Sequence, residues 1–230
     1  MIGMPPPYIM LMASLPALGP LLSEKEPAIN AVRLKERLKV LSPEDAADLE
    51  RARAIVSWAE LDLREDDAAF LARARGTIAA IRSAPVRAVA RDRLEIRTLL
   101  AALRRRHAGE EAPAREAEWG YGRYVETIRR NWTAPDFGLR HTFPWITAAA
   151  ERLKAGDRTS LERIALEAAW AAGERHLALH QFDFEAVVYY VLRWSLVDRW
   201  SRYDAAAAAD RFAELLDEAF ADSSELQDAA

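Results

Sequence analysis

Cysteine is missing from this chain of 230 residues. Its absence removes disulfides, thiolate nucleophiles and cysteine metal sites together, and fits a reducing compartment. Lysine is scarce as well, with four lysines against 28 arginines, so a run of arginines carries less functional weight here than elsewhere. The nine glycines form no GxxxxGK[ST] phosphate loop, and Gly120-Tyr121-Gly122 is too short for a dinucleotide fingerprint. Nucleotide hydrolysis is therefore not expected. No apolar run reaches the roughly 20 residues of a membrane span. Even the densest stretch, QFDFEAVVYYVLRWSLVDRWSRY from Gln181 to Tyr203, is broken by Arg193, Asp198, Arg199 and Arg202. A net charge of -4 gives no whole-chain attraction to nucleic acid or anionic lipid. The amino terminus, MIGMPPPYIMLMASLPALGPLL, has no Lys or Arg before Lys25 and is cut by Pro16 and Pro20. It lacks the basic-then-apolar pattern of an export signal and reads as mature protein.

What remains is a globular composition, 51% apolar and 30% charged, whose periodicity is helical almost throughout. The expected fold is an all-α bundle of about eight or nine helices. Asp183 can cap the helix from Phe184 onward. One of its faces carries Phe184, Val187, Val188, Val191 and Trp194, and a second carries Tyr189, Leu192, Leu196, Trp200 and Tyr203. A helix apolar on two faces is normally buried between neighbours, which predicts that this one is central. Tyr8 to Ala13 reads as either a short strand or a helical turn. Ser23 and Glu26 match a capping box for a first helix through Ile29, Val32 and Leu38. Ser42-Pro43-Glu44-Asp45 starts a second, with proline at the first helical position and acids in the first turn. Glu65-Asp66-Asp67 opens a third through Phe70, Leu71, Ala74, Ile78 and Ile81, and Pro85 separates it from a fourth. Further helices are expected at Gly122 to Trp132, from Pro144 to a closing Gly156, from a Thr159/Glu162 capping box onward, and over Ala205 to Phe220.

The small, charged segment AGEEAPAREAE, residues 108–118, reads as a linker between lobes 1–107 and 119–221, with a frayed tail over 222–230; a single compact domain is the alternative. Leu49-Glu50-Arg51 stands nine residues before Trp58 and 21 before Phe70, and Leu161-Glu162-Arg163 keeps the same spacing to Trp170 and Phe182. Two related lobes would give this echo, and so would coincidence in an alanine- and arginine-rich helical chain.

The most basic element is the helix from Val86 to His107, with seven arginines. Arg93, Arg97 and Arg104 fall together, and Arg87, Arg91 and Arg105 form a second group. A solvated face and a docking face for an acidic surface or a phosphate backbone both fit. Nucleic acid is the weaker partner, because no aromatic residues alternate with the arginines to stack on bases. Arg97, Arg104 and Arg105 are the candidate partner-binding residues. His176 and His180 stand four apart, a metal-sharing distance on a helix, but the glutamate of HExxH and the spacing of ExxH are missing. Ser14, Ser160 and Ser195 have no base at a recognisable spacing, and Asp66-Asp67 is not a DDxxD motif. No catalytic residue, metal site or cofactor is expected. Trp145, Trp170, Trp194 and Trp200 are placed in the core, while Trp119, Tyr121 and Trp132 flank turns and are expected to be more exposed.

A set of large residues at fixed spacing carries a family resemblance. It comprises Tyr8, Ser14-Leu15-Pro16, Asn131, Pro135, Phe137-Gly138-Leu139 and Phe143-Pro144-Trp145. Leu161-Glu162-Arg163, Trp170, Phe182, Phe184-Glu185-Ala186-Val187, Tyr190 and Arg199-Trp200 complete it. In these positions the chain resembles an uncharacterised bacterial family encoded within V/A-type ATPase operons, in the place of the C-type central-rotor subunit, which is the d-type subunit of eukaryotes. Asp92 to Arg106 is similar to the arginine-rich helix of that C-type rotor subunit itself. The acidic and lysine residues usual after the matching tyrosine are absent, and the chain is too short for three full lobes. The resemblance implies a non-catalytic all-α socket, cytoplasmic and peripheral to the inner membrane. It would join the rotor ring to the central axle, with subunits of both as its partners and no nucleic acid. The alternatives from the residues themselves are a helical metal-dependent enzyme using His176 and His180, and a nucleic-acid-binding module using the Arg87 to Arg106 helix.

Overall fold

A computed structural model describes residues 8–23, 26–56 and 67–203. Within them the chain is all-helical, with nine helices and no strand. These are α1 (Ile9–Ser14), α2 (Ala31–Leu38), α3 (Pro43–Val56), α4 (Asp67–Ala80), α5 (Ala84–His107), α6 (Val125–Arg130), α7 (Ile146–Lys154) and α8 (Arg158–Leu177), followed by α9 at 184–203. None is long and apolar enough to cross a membrane. The expected helix from Ala205, the tail, Trp58 and Glu65-Asp66 lie outside the described residues.

Local signals placed several boundaries correctly. Ser42 Oγ accepts from the Asp45 N–H at 3.1 Å ahead of Pro43, and Ser83 Oγ accepts from Val86 N–H at 3.4 Å ahead of Pro85. Asp183 caps α9 through the Ala186 N–H at 3.0 Å. Gly156 closes α7 at φ 71°, donating its N–H to Leu153 O at 3.2 Å while Asp157 N–H reaches Arg152 O at 2.9 Å. This paired closure is the Schellman arrangement, which needs the left-handed backbone that glycine adopts without strain.

Other boundaries moved for physical reasons. Ser23 does not cap α2; its hydroxyl donates to Pro20 O, and Asn30 caps the helix by accepting from Arg33 N–H at 2.9 Å. Pro27 disfavours the helical region at Glu26, so the Ser23 box cannot propagate. Val32 is consequently 72% exposed, while Leu34 is buried. Asp157, not Thr159, caps α8 at 2.9 Å from Ser160 N–H. Gly122 has φ 103°, so the helix expected from that position begins only at Val125. The stretch from Tyr8 to Ala13 falls on α1 (Ile9–Ser14), with Tyr8 at its N-cap, and is a helical turn rather than a strand.

The helix that runs through the molecule is α5. Its first half (Val86, Val89, Ala90, Leu94) joins a core built from α1 to α4 and α9. Its second half (Ile96, Leu99, Leu100, Leu103) joins a core built with α6, α7 and α8. A smaller cluster of Leu21, Leu166, Ala169, Leu196 and Val197 ties α8 to α9. Helix α9 is buried along its first expected face, while on the second Leu192 and Leu196 are buried and Tyr189, Trp200 and Tyr203 are half-buried; α5 is the element shared by the two main cores. Residues before 107 and after 119 therefore contribute to both cores, which do not divide at the supposed linker. That segment is tied down: Trp132 Nε1 donates to Glu110 O at 2.9 Å, Arg105 Nε to Glu110 Oε2 at 2.7 Å and Arg75 to Glu118 at 3.1 Å. Pro113 is buried. Trp119 and Trp132, expected to be more exposed, are each 7% exposed and pack edge to face with centroids 6.1 Å apart.

Candidate functional site

Most of the arginines on α5 serve the fold. Arg87 donates to Ile81 O at 2.5 Å and Arg82 O at 2.7 Å, closing the turn into the helix. Arg106 donates to Trp132 O at 3.2 Å, to Ala134 O and to Pro135 O at 2.9 Å, and lies 4.3 Å over the Phe137 ring. Arg93 does not project with its supposed neighbours. It is 7% exposed and donates to Val56 O at 3.1 Å. Burial, and then the nearby Arg199 charge, push its pKa down to about 9.

The three candidate partner-binding residues separate by role. Arg97 stacks 3.8 Å over the Phe70 ring of α4. Arg105 pairs with Glu110 at 2.7 Å and faces Asp67 at 3.7 Å. Arg104 is exposed on the last turn of α5, as is Arg91 earlier on the helix. Arg97→Ala should cost about 0.5–1 kcal/mol through its lost cation–π contact, while Arg104→Glu should stay within about 0.5 kcal/mol of the wild type. Parallel urea titrations check this, and equal losses would contradict the division of roles.

The histidines are not brought together. Helix α8 ends at Leu177, so His180 leaves the helical register. His176 Nε2 sits 3.0 Å from Asp92 Oδ2, which also accepts from Arg175 at 2.5 Å. His180 Nδ1 sits 2.6 Å from Asp183 Oδ2. His180, Asp183 and Glu185 do place possible ligand atoms within 4.8 Å of one another. Asp183 already caps α9, however, and Glu185 Oε1 accepts from Ser83 Oγ at 2.7 Å. A cation there would also face the positive end of the α9 dipole. The chemistry of this trio is accounted for by its hydrogen bonds.

Three charged residues buried inside the helical packing, Asp48, Arg93 and Glu95, escaped the sequence reading. Asp48 is fully buried on α3 and accepts from Arg51 at 2.6 Å, Arg82 Nε at 2.9 Å and Arg82 N–H at 3.1 Å. Burial raises its pKa, but the hydrogen bonds from Arg82 and Arg51 outweigh this and hold the carboxyl below its ordinary value. Arg93 is the second, and Glu95 the third, accepting from the Arg123 N–H and Nε at 3.2 Å. Asp48 and Arg93 stand where helical spacing calls for an apolar side chain, Asp48 in line with Ala52 and Ile55, Arg93 between Ala90 and Ile96. That interruption was the available signal.

Arg93 also lines a cavity of about 590 Å³ bounded by α3 and α9, with Arg53, Asp198, Arg199 and Arg202 around it. Comparison with protein-family models, curated proteins and solved structures gives no match to this chain.

Proposed function

We propose that this chain is a non-catalytic coupling component of a V/A-type rotary ATPase, similar to the C-type rotor subunit, joining the central axle to the membrane rotor ring. The observation that carries the reading is α5, 24 residues of continuous helix packed into both main cores. At 1.5 Å per residue it extends about 36 Å. A part that transmits torque needs stiffness between its two contact surfaces, and close-packed interiors resist compression and pass strain on. A through-going helix supplies this better than two lobes on a linker.

The residues that carry the family resemblance support the same reading, because distant ones meet in space. The Tyr8 N–H donates to Phe182 O at 3.2 Å, Tyr190 Oη to Pro16 O at 3.0 Å, and Arg199 Nε to Glu162 Oε1 at 2.5 Å. Trp170 and Trp200 pack on the same small core. Such a pattern describes one packed body rather than scattered matches.

In this reading Arg97, Arg104 and Arg105 meet the partner, with Arg104 the residue whose replacement disturbs least of the fold. Charges of this kind mainly steer and orient docking. The protein would be cytoplasmic, peripheral to the inner membrane and held there through its protein partners. Purified rotor ring and axle subunits, each presented to the immobilised chain, test the proposal. The wild type should bind both, and Arg104→Glu should slow association with one of them at unchanged melting temperature. Failure of the wild type to bind either would reject the coupling role.

A further inference from the structure

The cavity between α3, α5 and α9 has a built interior. Its volume of about 590 Å³ falls in the range of small-molecule sites. Four arginines line it, Arg53, Arg93, Arg199 and Arg202, against two carboxylates, Glu50 and Asp198. Those carboxylates engage the outer pair: Glu50 meets Arg53 at 2.9 Å, and Asp198 meets Arg202. Glu162 meets Arg199 at 2.5 Å. At the inner wall Arg199 lies close enough to disfavour the Arg93 cation. Arg53 and Arg202 each give one N–H to a carboxylate in their pairs, and a guanidinium carries five. Trp194 and Tyr203 line the same space, with Trp194 Nε1 already committed to Ile29 O at 2.7 Å, so aromatic carbon is what remains to meet a ligand. Guanidinium forks match phosphate oxygens in pairs, which favours phosphate over a simple carboxylate.

We propose that this cavity binds a small organic phosphate, its phosphate oxygens held by Arg53, Arg93 and Arg202 and its organic part beside Trp194 and Tyr203. The site is independent of the rotary-ATPase reading, since it asks only what the purified chain binds.

The full chain is titrated with pyrophosphate and with uridine monophosphate, by calorimetry and by thermal melting. Both probes should raise the melting temperature progressively and bind once per chain. The paired substitution Arg53→Gln/Arg202→Gln removes two half-exposed or exposed cations and leaves Arg93 in place. Its melting temperature without ligand should match the wild type, since exposed ion pairs contribute little, and its affinity should fall about tenfold or more. Arg104→Glu, on α5 outside the cavity, should bind as the wild type does. No binding of either probe at about 5 mM overturns the proposal, because affinity weaker than millimolar is no specific site. Equal loss of binding in Arg104→Glu and in the paired variant overturns it as well, by showing attraction to the general surface charge.

Discussion

Replacing Asp48 with alanine should cost about 2–4 kcal/mol, because hydrogen bonds to charged groups are lost and the Arg82 N–H loses its acceptor. The larger penalty of a stranded buried charge does not apply. Arg51 and Arg82 are 40% and 55% exposed at their side chains, so water can take up both guanidiniums. For a chain of this length the loss should lower the melting temperature by about 5–15 °C. Asp48→Asn keeps one acceptor oxygen and should fall between the two. The pH dependence has a definite sign. The folded-state pKa of Asp48 lies below its ordinary value, so its contribution is fully present above the unfolded value of about 3.9 and disappears as pH falls through the folded value. The stability gap between wild type and Asp48→Ala should therefore be constant from neutral pH to about pH 5 and close below about pH 4. Denaturant titrations at stepped pH read this gap directly. A gap that stayed constant to pH 3 would mean that Asp48 acts through packing rather than charge.

Phe137→Ala should be at least as severe, at about 3–5 kcal/mol, the usual range for a fully buried phenylalanine. Phe137 has no exposed surface, lies 5.6 Å from Trp132 between ring centroids and carries Arg106 on its face. Its backbone is left-handed, with φ 49°, a conformation that costs a non-glycine residue about 1–2 kcal/mol and persists only under firm constraint. The constraint is visible: Asp136 Oδ1 accepts from Gly138 N–H at 2.8 Å, and Arg106 fastens the preceding turn through its carbonyls. Phe137→Gly relieves the strain while losing the same ring. Comparing the two variants by thermal melting separates packing from backbone. Alanine should be the worse of the two, and an equal or smaller loss in alanine would remove the claim of strain.

Legibility in the sequence followed the range of the interaction. The starts at Ser42-Pro43, Pro85 and Asp183 and the closure at Gly156 are decided within a few residues, and each was readable from its own neighbourhood. The end of α8 was not, because Ala178-Leu179-His180 contains neither glycine nor proline to mark a stop. The competing start at Asp183 separates His176 from His180 there. Core membership is a tertiary property, and local composition understated it. The segment 108–118 has a linker's composition, yet its ends are held by Arg105, Trp132 and Arg75. The apolar stripe of α5, Val86, Val89, Ala90, Leu94, Leu100 and Leu103 with Ile96 and Leu99 beside it, is legible next to the seven arginines; that it forms the shared wall of two cores is not. Trp119 and Trp132 flank turns as expected, but the turns fold inward and bury them.

The coupling role is tested most directly in the protein's own host. The tagged chain is recovered from gently solubilised membranes of cells that express the rotary ATPase, and bound proteins are identified and quantified by mass spectrometry. Rotor-ring and axle subunits recovered in fixed proportion to the chain are the predicted result. Their absence from the recovered material, in cells shown to contain them, would contradict it.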